Sequence, residues 1–429
     1  MSKLTYKQAL DYVNSFLQFG IKPGLERISL LLELLGNPQK NLKFIHVAGT
    51  NGKGSTCTFI SSILKSSGLK TGLFISPFVL DFRERFQIDG NMISEKRFVD
   101  VMEYIIPFVK KMPKNGNELT EFELITVIAL VWFWQENCDV VVLETGLGGR
   151  LDATNVVDNV LVSVITSVSF DHMNILGTTL KEIAYEKAGI LKPNGKLVLY
   201  PKQNKEAFLT IKNVAEDLNN KIIIPDLLAL SQVKSSLCGT EFVYMNEFYN
   251  INLLGEHQIY NAVTALTAVT ELNKYGFEIS KENIKLGLSA AKFPSRFEVI
   301  SKNPLVIVDG AHNLDGAEAL ASAINLYLRK KRIIAIVGML KDKEVAKVLS
   351  EISHLVSEFV VVQPDNPRAM DKFELNSLIE LYNKNTMVAE NLNHALECAL
   401  EKLDSDSVLL VFGSLYLVSQ IRPILLSFF

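Results

Sequence analysis

Short apolar, β-branched runs recur along the chain between longer stretches whose apolar positions return at helical spacing. Phe44–Ala48, Val140–Glu144, 161–166 and 197–200 are such runs. Bounded by turn residues and alternating with helical stretches, they predict βαβ units and a parallel sheet flanked by helices. After Pro201 the pattern loosens, with hairpin strands predicted at 242–244 and 251–253 and a helix at 260–275. A second series of buried strands follows at Leu305–Val308, 333–337, 359–362 and 408–412. Between the two series, Phe293-Pro294-Ser295-Arg296-Phe297 reads as a connector, because proline bars its predecessor from the helical region. A chain of 429 residues exceeds the usual size of one domain. The pattern therefore predicts an α/β protein of two domains, 1–296 and 297–429, the second smaller and Rossmann-like.

The first strand runs directly into Gly49-Thr50-Asn51-Gly52-Lys53-Gly54-Ser55, and a helical pattern follows. Strand, glycine-rich turn and helix start together form a phosphate loop. The glycines let successive amides converge on an anion, Lys53 reaches the terminal phosphates, and Ser55 or Thr56 can meet Mg²⁺. The spacing is a compact variant, since Gly49 stands three positions before Gly52 and Gly54 separates Lys53 from Ser55. The ligand this predicts is a nucleoside triphosphate, in an N-terminal domain of phosphate-loop ATPase type.

Composition narrows the partners. The chain has 44 basic and 47 acidic residues, a net charge of −3, which provides no broad footprint for nucleic acid or an anionic membrane. The four cysteines, Cys57, Cys138, Cys238 and Cys398, have neither metal-site nor disulfide-framework spacing, and a reducing cytoplasm is expected. The start Met1-Ser2-Lys3-Leu4-Thr5 lacks the order of a secretory signal, and the apolar run 124–134 is too short to span a bilayer and predicts a buried helix.

In open α/β sheets ligands bind beyond the carboxyl ends of the strands, so polar residues that terminate apolar runs are the candidates. Glu144 ends one run and precedes a glycine-rich loop. It suits a hard cation, with a loop cap as the alternative. Asp171-His172 follows the next run, as a cation site with an oriented imidazole or as structural residues. Ser76-Pro77 offers an oxygen ligand or a simple turn. Lys187 would by composition be a solvated helix residue. Leu305–Val308 ends in Asp309-Gly310-Ala311-His312-Asn313. Arg296 could hold a phosphate or an interdomain salt bridge, and Asn261 could read a base edge or cap a helix.

Together these residues resemble the folylpolyglutamate synthase/dihydrofolate synthase family, a branch of the ATP-dependent Mur ligases. The resemblance rests on blocks spread along the chain: His46 to Ser55, Ser76-Pro77 with Arg83-Glu84-Arg85, Glu144 to Asn155, Asp171-His172, Glu186 to Ile190, and Asp309 to Asn313. It implies that Lys53 and the amides of Gly49, Thr50, Asn51, Gly52, Gly54 and Ser55 hold ATP. Ser76 and Glu144 would ligate one Mg²⁺, and Glu144 with His172 a second. Asn261 would recognise adenine, Arg296 the phosphates, and Asp309 with His312 the nucleotide and reacting groups. Arg83, Asp152 and Ser414 would lie near substrate. Lys187 matches a lysine the family carries as a carbamate, and a monovalent cation is a further family possibility.

The implied reaction is amide formation between L-glutamate and a folate or dihydropteroate carboxylate by a cytoplasmic monomer. ATP phosphorylates that carboxylate to an acyl phosphate, which glutamate's amine attacks, and closure of two domains would exclude water. The rivals are chain extension alone, a Mur ligase acting on a cell-wall precursor, and a regulatory phosphate-loop ATPase. A Mur ligase typically carries an extra N-terminal domain, for which a phosphate loop beginning at Gly49 leaves no room.

Overall fold

The computed structural model describes residues 4–113, 118–341 and 343–429. It separates into two compact units, one of residues 1–230, 244–249 and 260–291, the other of 231–243, 250–259 and 292–429. The division is thus not at a single point near Phe297. The second unit begins at Lys292 and also takes in two pieces of the intervening hairpin region.

The first unit holds an eight-stranded sheet. In chain order its strands are β1 (Phe44–Ala48), β2 (Thr71–Phe74), β3 (Phe86–Ile88), β4 (Asn91–Met92), β5 (Val140–Glu144), β6 (Val160–Ile165), β7 (Lys196–Leu199) and β8 (Lys221–Ile223). In space the order is β4-β3-β2-β5-β1-β6-β7-β8. From β2 to β8 the pairing is parallel, and β3 and β4 add an antiparallel edge. The register aligns Val47 with Glu144 on one side and Val164 on the other, so β1, β5 and β6 deliver their exits to one edge.

Helices cover the sheet because their apolar positions need burial. Phe44, Val141 and Leu143 enter a core with residues of the helices Glu95–Val109 and Glu121–Gln135. The apolar run 124–134 lies in the second of these, as a buried helix started by a capping box between Thr120 and Glu123. Glu123 also receives two bonds from buried Arg27 Nε, at 3.0 and 3.2 Å, so the cap carboxylate is compensated by charge.

A three-stranded sheet follows, of β9 (Leu230–Ser236), β10 (Gly239–Tyr244) and β11 (Glu247–Ile251) in the order β11-β10-β9. The second hairpin strand lies earlier than the predicted 251–253, because its pattern alternates from Phe248 to Ile251 with Tyr249 and Ile251 inward. The helix predicted at 260–275 begins instead at Glu256 and ends at Leu272, where a 3₁₀ turn, Asn273–Tyr275, takes over.

The second unit carries β12 (Glu298–Lys302), β13 (Leu305–Val308), β14 (Arg332–Val337), β15 (Glu358–Val361), β16 (Thr386–Val388) and β17 (Ser407–Phe412), ordered β12-β13-β17-β14-β15-β16. All neighbours are parallel except β12 with β13. Side chains alternate strictly: Ile307, Ala335, Val337 and Leu410 enter one core, while Val306, Ile334, Ile336 and Leu409 enter another on the opposite face.

The larger core contains an aromatic knot in which Phe86 meets Phe74 at 5.9 Å, Phe82 at 5.6 Å and Phe98 at 6.1 Å between ring centroids. Phe86 is fully buried. Phe86→Ala is expected to destabilise the first unit by about 3–5 kcal/mol, through lost transfer energy and a cavity, as read by urea denaturation.

Candidate active site

The edge where β1, β5 and β6 end is built around the turn after Ala48. Gly49 has φ 150° and Gly52 φ 82°. A Cβ on Gly49 would lie 1.8 Å from Thr166 Oγ1, and one on Gly52 2.5 Å from Asn261 Oδ1, so space as well as backbone conformation demands glycine at both. The turn is tied to the exit of β6. Thr50 N donates to Ser167 O at 2.7 Å, and the Thr50 hydroxyl donates to Ser169 O at 3.0 Å while accepting from Ser169 N at 3.1 Å.

The helix Lys53–Ser66 that follows has no side-chain cap, whereas Ser94, Thr120 and Thr179 cap theirs. Its first-turn amides and the positive end of its dipole suit an anion. Lys53 Nζ donates to Gly49 O and Thr50 O, both at 3.1 Å, folding back over the turn.

Lys187 is buried, 4% exposed, contrary to the solvated position its composition suggests. Its Nζ donates to the same Gly49 carbonyl at 2.7 Å. Burial first, then the Lys53 charge, push its pKa down to about 7, against the opposing pull of Asp171 and Asp152. Two amines thus converge on one backbone oxygen.

Glu144 is also buried, and its Oε2 accepts from Ser76 N at 3.0 Å, joining the exits of β5 and β2. Three hydroxyls of the same region, Thr56 Oγ1, Thr145 Oγ1 and Ser169 Oγ, are buried without a hydrogen-bond partner. Unsatisfied hard-oxygen donors of this kind fit a hydrated cation or phosphate oxygens. Among the described residues no group of three His, Cys, Asp or Glu side chains converges as a metal cage. Mg²⁺ does not require one, since it keeps several waters and takes one or two carboxylates together with phosphates.

His172 lies beyond β6 with left-handed backbone, φ 49°. Its amide donates to Asp171 Oδ1 at 2.9 Å, and its ring Nε2 is 3.7 Å from Asp171 Oδ2. The side chain is 44% exposed. Asp152, expected near substrate, is turned inward: Leu147 N, Thr154 N and the Thr154 hydroxyl all donate to it, at 2.8, 3.0 and 2.5 Å. Arg83 pairs with Asp81 at 2.6 Å and lies 5.7 Å from the Tyr6 ring. Asn261, on the helix Glu256–Leu272, is buried against Gly52 of the phosphate turn.

The second unit has its own polar edge. Asp309, at the end of β13, accepts from Phe297 N and Ala311 N at 2.7 Å each. Burial raises its pKa, and the Arg296 guanidinium opposes that rise. Arg296 stands between two non-glycine residues with positive φ, Ser295 at 64° and Phe297 at 42°, and 5.4 Å from the Phe293 ring. Such strain is tolerated where surrounding structure imposes it, here partly through the Phe297–Asp309 bond. His312 Nδ1 lies 2.8 Å from Gly310 O. Ser414, beyond neighbouring β17, caps the helix Leu415–Phe428 through Tyr416 N at 3.1 Å and is 1% exposed.

Sequence reasoning named Thr50 only as a nucleotide contact and gave no role to Thr166, Ser169 or Thr154. A threonine directly after β6, opposite a glycine that must approach it, was the available signal for Thr166. Ser169 pairs with Thr50, 119 positions away, and Thr154 with His46, 108 positions away, and pairings at such separations leave no periodic trace.

Known proteins are similar to this chain over almost its whole length. A model of the Mur ligase middle domain matches residues 47–269, and one of the Mur ligase glutamate ligase domain matches residues 295–415. The chain is 36% identical over 426 residues to dihydrofolate synthase/folylpolyglutamate synthase of Bacillus subtilis, covering 97% of this chain and 98% of the relative. A crystal structure of folylpolyglutamate synthase from Thermotoga maritima aligns with a TM-score of 0.85 at 35% identity, over 98% of this chain and 96% of that one. Folylpolyglutamate synthase of Mycobacterium tuberculosis, complexed with ADP and AMPPCP, aligns with a TM-score of 0.90 at 29% identity, over 98% and 99%. The chain belongs to the folylpolyglutamate synthase/dihydrofolate synthase family of Mur ligases and is an ATP-dependent ligase.

Proposed function

We propose that this ligase joins L-glutamate to folates and, as a second activity, to dihydropteroate. The observation that carries the reading is the uncapped helix at Lys53 with Lys53, Lys187 and Glu144 brought to the same sheet edge, in a chain whose B. subtilis relative is named for both activities. Chain extension alone is the second reading, favoured by the single name borne by the T. maritima and M. tuberculosis proteins.

In the proposed mechanism the amides from Gly49 to Ser55 hold the phosphates, and Lys53 leaves its backbone carbonyls for the γ-phosphoryl group. Those fixed donors stabilise the charge that develops as the phosphoryl group passes to the substrate carboxylate. Attack by glutamate's amine on the acyl phosphate then expels phosphate and forms the amide. Glu144, Ser76 and His172 would hold Mg²⁺, which when bound supplies charge neutralisation on the transferring group. Asp171 is proposed to orient His172, and Asn261, beside Gly52, to meet a base edge. In the second unit, Arg296, Asp309 and His312 are proposed as nucleotide contacts. Arg83 and Ser414 are proposed to lie near substrate, and Asp152, which accepts from Leu147 N and Thr154 N, to hold the loop after Glu144. A cytoplasmic location is supported by four unpaired cysteines and, among the described residues, by the lack of any helix long and apolar enough to cross a membrane.

Lys187 fits carbamylation in one respect. An amine held near pH 7 is substantially neutral, and the neutral form is the one that adds CO₂ with loss of a proton. The product replaces a cation beside Lys53 with an anion, relieving the repulsion.

The first test is glutamate-dependent phosphate release with Mg²⁺-ATP, offering dihydropteroate and tetrahydrofolate separately and weighing the products. Single-glutamate addition to both supports the double activity, addition only to tetrahydrofolate supports extension alone, and glutamate-independent turnover overturns the ligase assignment. Lys53→Ala is expected to lower kcat by about 10²-fold or more with an unchanged circular dichroism spectrum. Near-normal turnover would remove Lys53 from the mechanism.

Lys187 also makes stability depend on pH. Unfolded, it titrates near 10.5, and folded near 7. Between these values the unfolded chain binds the extra proton, so stability rises with pH across that window and the contribution is lost as pH falls through about 7. In CO₂-free buffer, urea midpoints of the wild type should climb relative to Lys187→Met from pH 7 towards 10; parallel curves would refute the depressed value.

A further inference from the structure

One polar side chain at the centre of the larger sheet has no part in the chemistry above. His46 lies in the middle of β1, wholly buried, beside Leu143 of β5 and Ser163 of β6. Its Nε2 is 2.8 Å from Thr154 Oγ1, and that hydroxyl is 2.5 Å from Asp152 Oδ1. Asp152 already accepts from the amides of Leu147 and Thr154, as a carboxylate must, so it takes the hydroxyl proton. The threonine oxygen then accepts from the ring. His46 is therefore the Nε2–H tautomer, and its Nδ1 is buried with no hydrogen-bond partner. Burial, assisted by Lys192, holds the ring's pKa down to about 3, so it stays neutral at working pH.

The far end of this chain of donors reaches the reactive groups. Asp152 closes the loop that leaves Glu144, bonding back to Leu147 and starting the 3₁₀ turn Ala153–Val156. That loop is fastened to the end of the helix Leu180–Ala188. Arg150 N donates to Glu186 O at 2.7 Å, and Asn155 Nδ2 donates to Arg150 O and Gly189 O at 3.0 Å each. At Gly149 the approach is so close that a Cβ would stand 2.8 Å from both Glu186 O and Lys187 O.

We propose that His46 is a positioning residue for the ligase reaction. Donating through Thr154 to Asp152, it fixes the loop 145–155 against the helix that carries Lys187, and so sets Glu144 and Lys187 relative to the phosphate loop that continues its own strand. The inference rests on the ligase reading and adds to it a residue that touches no substrate. An apolar side chain would fill the same space but give the loop no direction, since dispersion contacts do not select one hydrogen-bonded arrangement.

The test uses the full chain and glutamate-dependent ADP release. His46→Leu is expected to lower kcat by about tenfold or more while the KM for ATP changes by less than about twofold, because ground-state phosphate contacts remain. His46→Gln, whose amide N–H can reach Thr154, should return to within about threefold of wild type. Thr154→Val should repeat the loss seen in His46→Leu, and the double variant should lose no more than either single one, since both cut one chain. Wild-type kcat in His46→Leu, a Gln variant no better than Leu, or additive losses would each overturn the role. If His46→Leu does not fold, Thr154→Val decides alone, and unchanged kcat in it overturns the proposal.

A second measurement is independent of turnover: the ¹⁵N resonances of the His46 ring should show a protonated Nε2, a bare Nδ1 and no titration from about pH 5 to 8. A protonated Nδ1 refutes the relay even in an active enzyme. A wild type without glutamate-dependent turnover but with the expected ring resonances would overturn the ligase reading, and with it the role in the reaction, while leaving the relay as observed.

Discussion

The close passage of Gly49 over Thr166 governs the rest of the larger sheet's edge. With no side chain between them, the turn after β1 drops against the exit of β6, and its carbonyl becomes the meeting point of Lys53 and Lys187. Any Cβ there would lift the turn away from both lysines and from the Thr50–Ser169 pair. A strand-to-helix turn that could serve merely as a connection thereby brings two amines and a helix N-terminus to one place. The carboxylate at the end of neighbouring β5 then has a fixed reference.

Much of this was legible in the sequence because the signals are periodic or stereochemical. Buried parallel strands read as β-branched runs, and β1, β5, β13 and the cores of β6, β7, β14, β15 and β17 coincide with them. Glycines at left-handed positions announced the phosphate turn. Short edge elements were not legible: β3, β4, β8 and β16 have two or three residues each, too few to establish a period. Domain membership was read as contiguous, whereas the boundary between the two units falls within β11, between Tyr249 and Asn250, and again after Ile259.

At the site, composition misjudged residues whose state depends on tertiary neighbours. Lys187 stands on a helix with ordinary polar spacing, and only its proximity to Gly49 reveals a buried amine. Asp152 and Ser414, expected near substrate, also hold a loop and cap a helix, bonds that the sequence did not show. His46 was visible as a polar residue within the apolar string Phe44-Ile45-His46-Val47-Ala48, yet its partner lies 108 positions away. Sequence reasoning resolves which chemistry a chain carries more readily than which groups hold that chemistry in place.

The edges of the eight- and six-stranded sheets carry a consequence for the protein at high concentration. A parallel sheet of long apolar strands would offer unpaired backbone to any other chain. Here the larger sheet terminates in Asn91–Met92 and Lys221–Ile223, and the smaller in Thr386–Val388 and the Lys302-bearing β12. Strands this short, or carrying a lysine, are poor templates for strand addition. The same shortness that hid β4, β8 and β16 from pattern reading makes those edges of the eight- and six-stranded sheets poor sites for intermolecular growth.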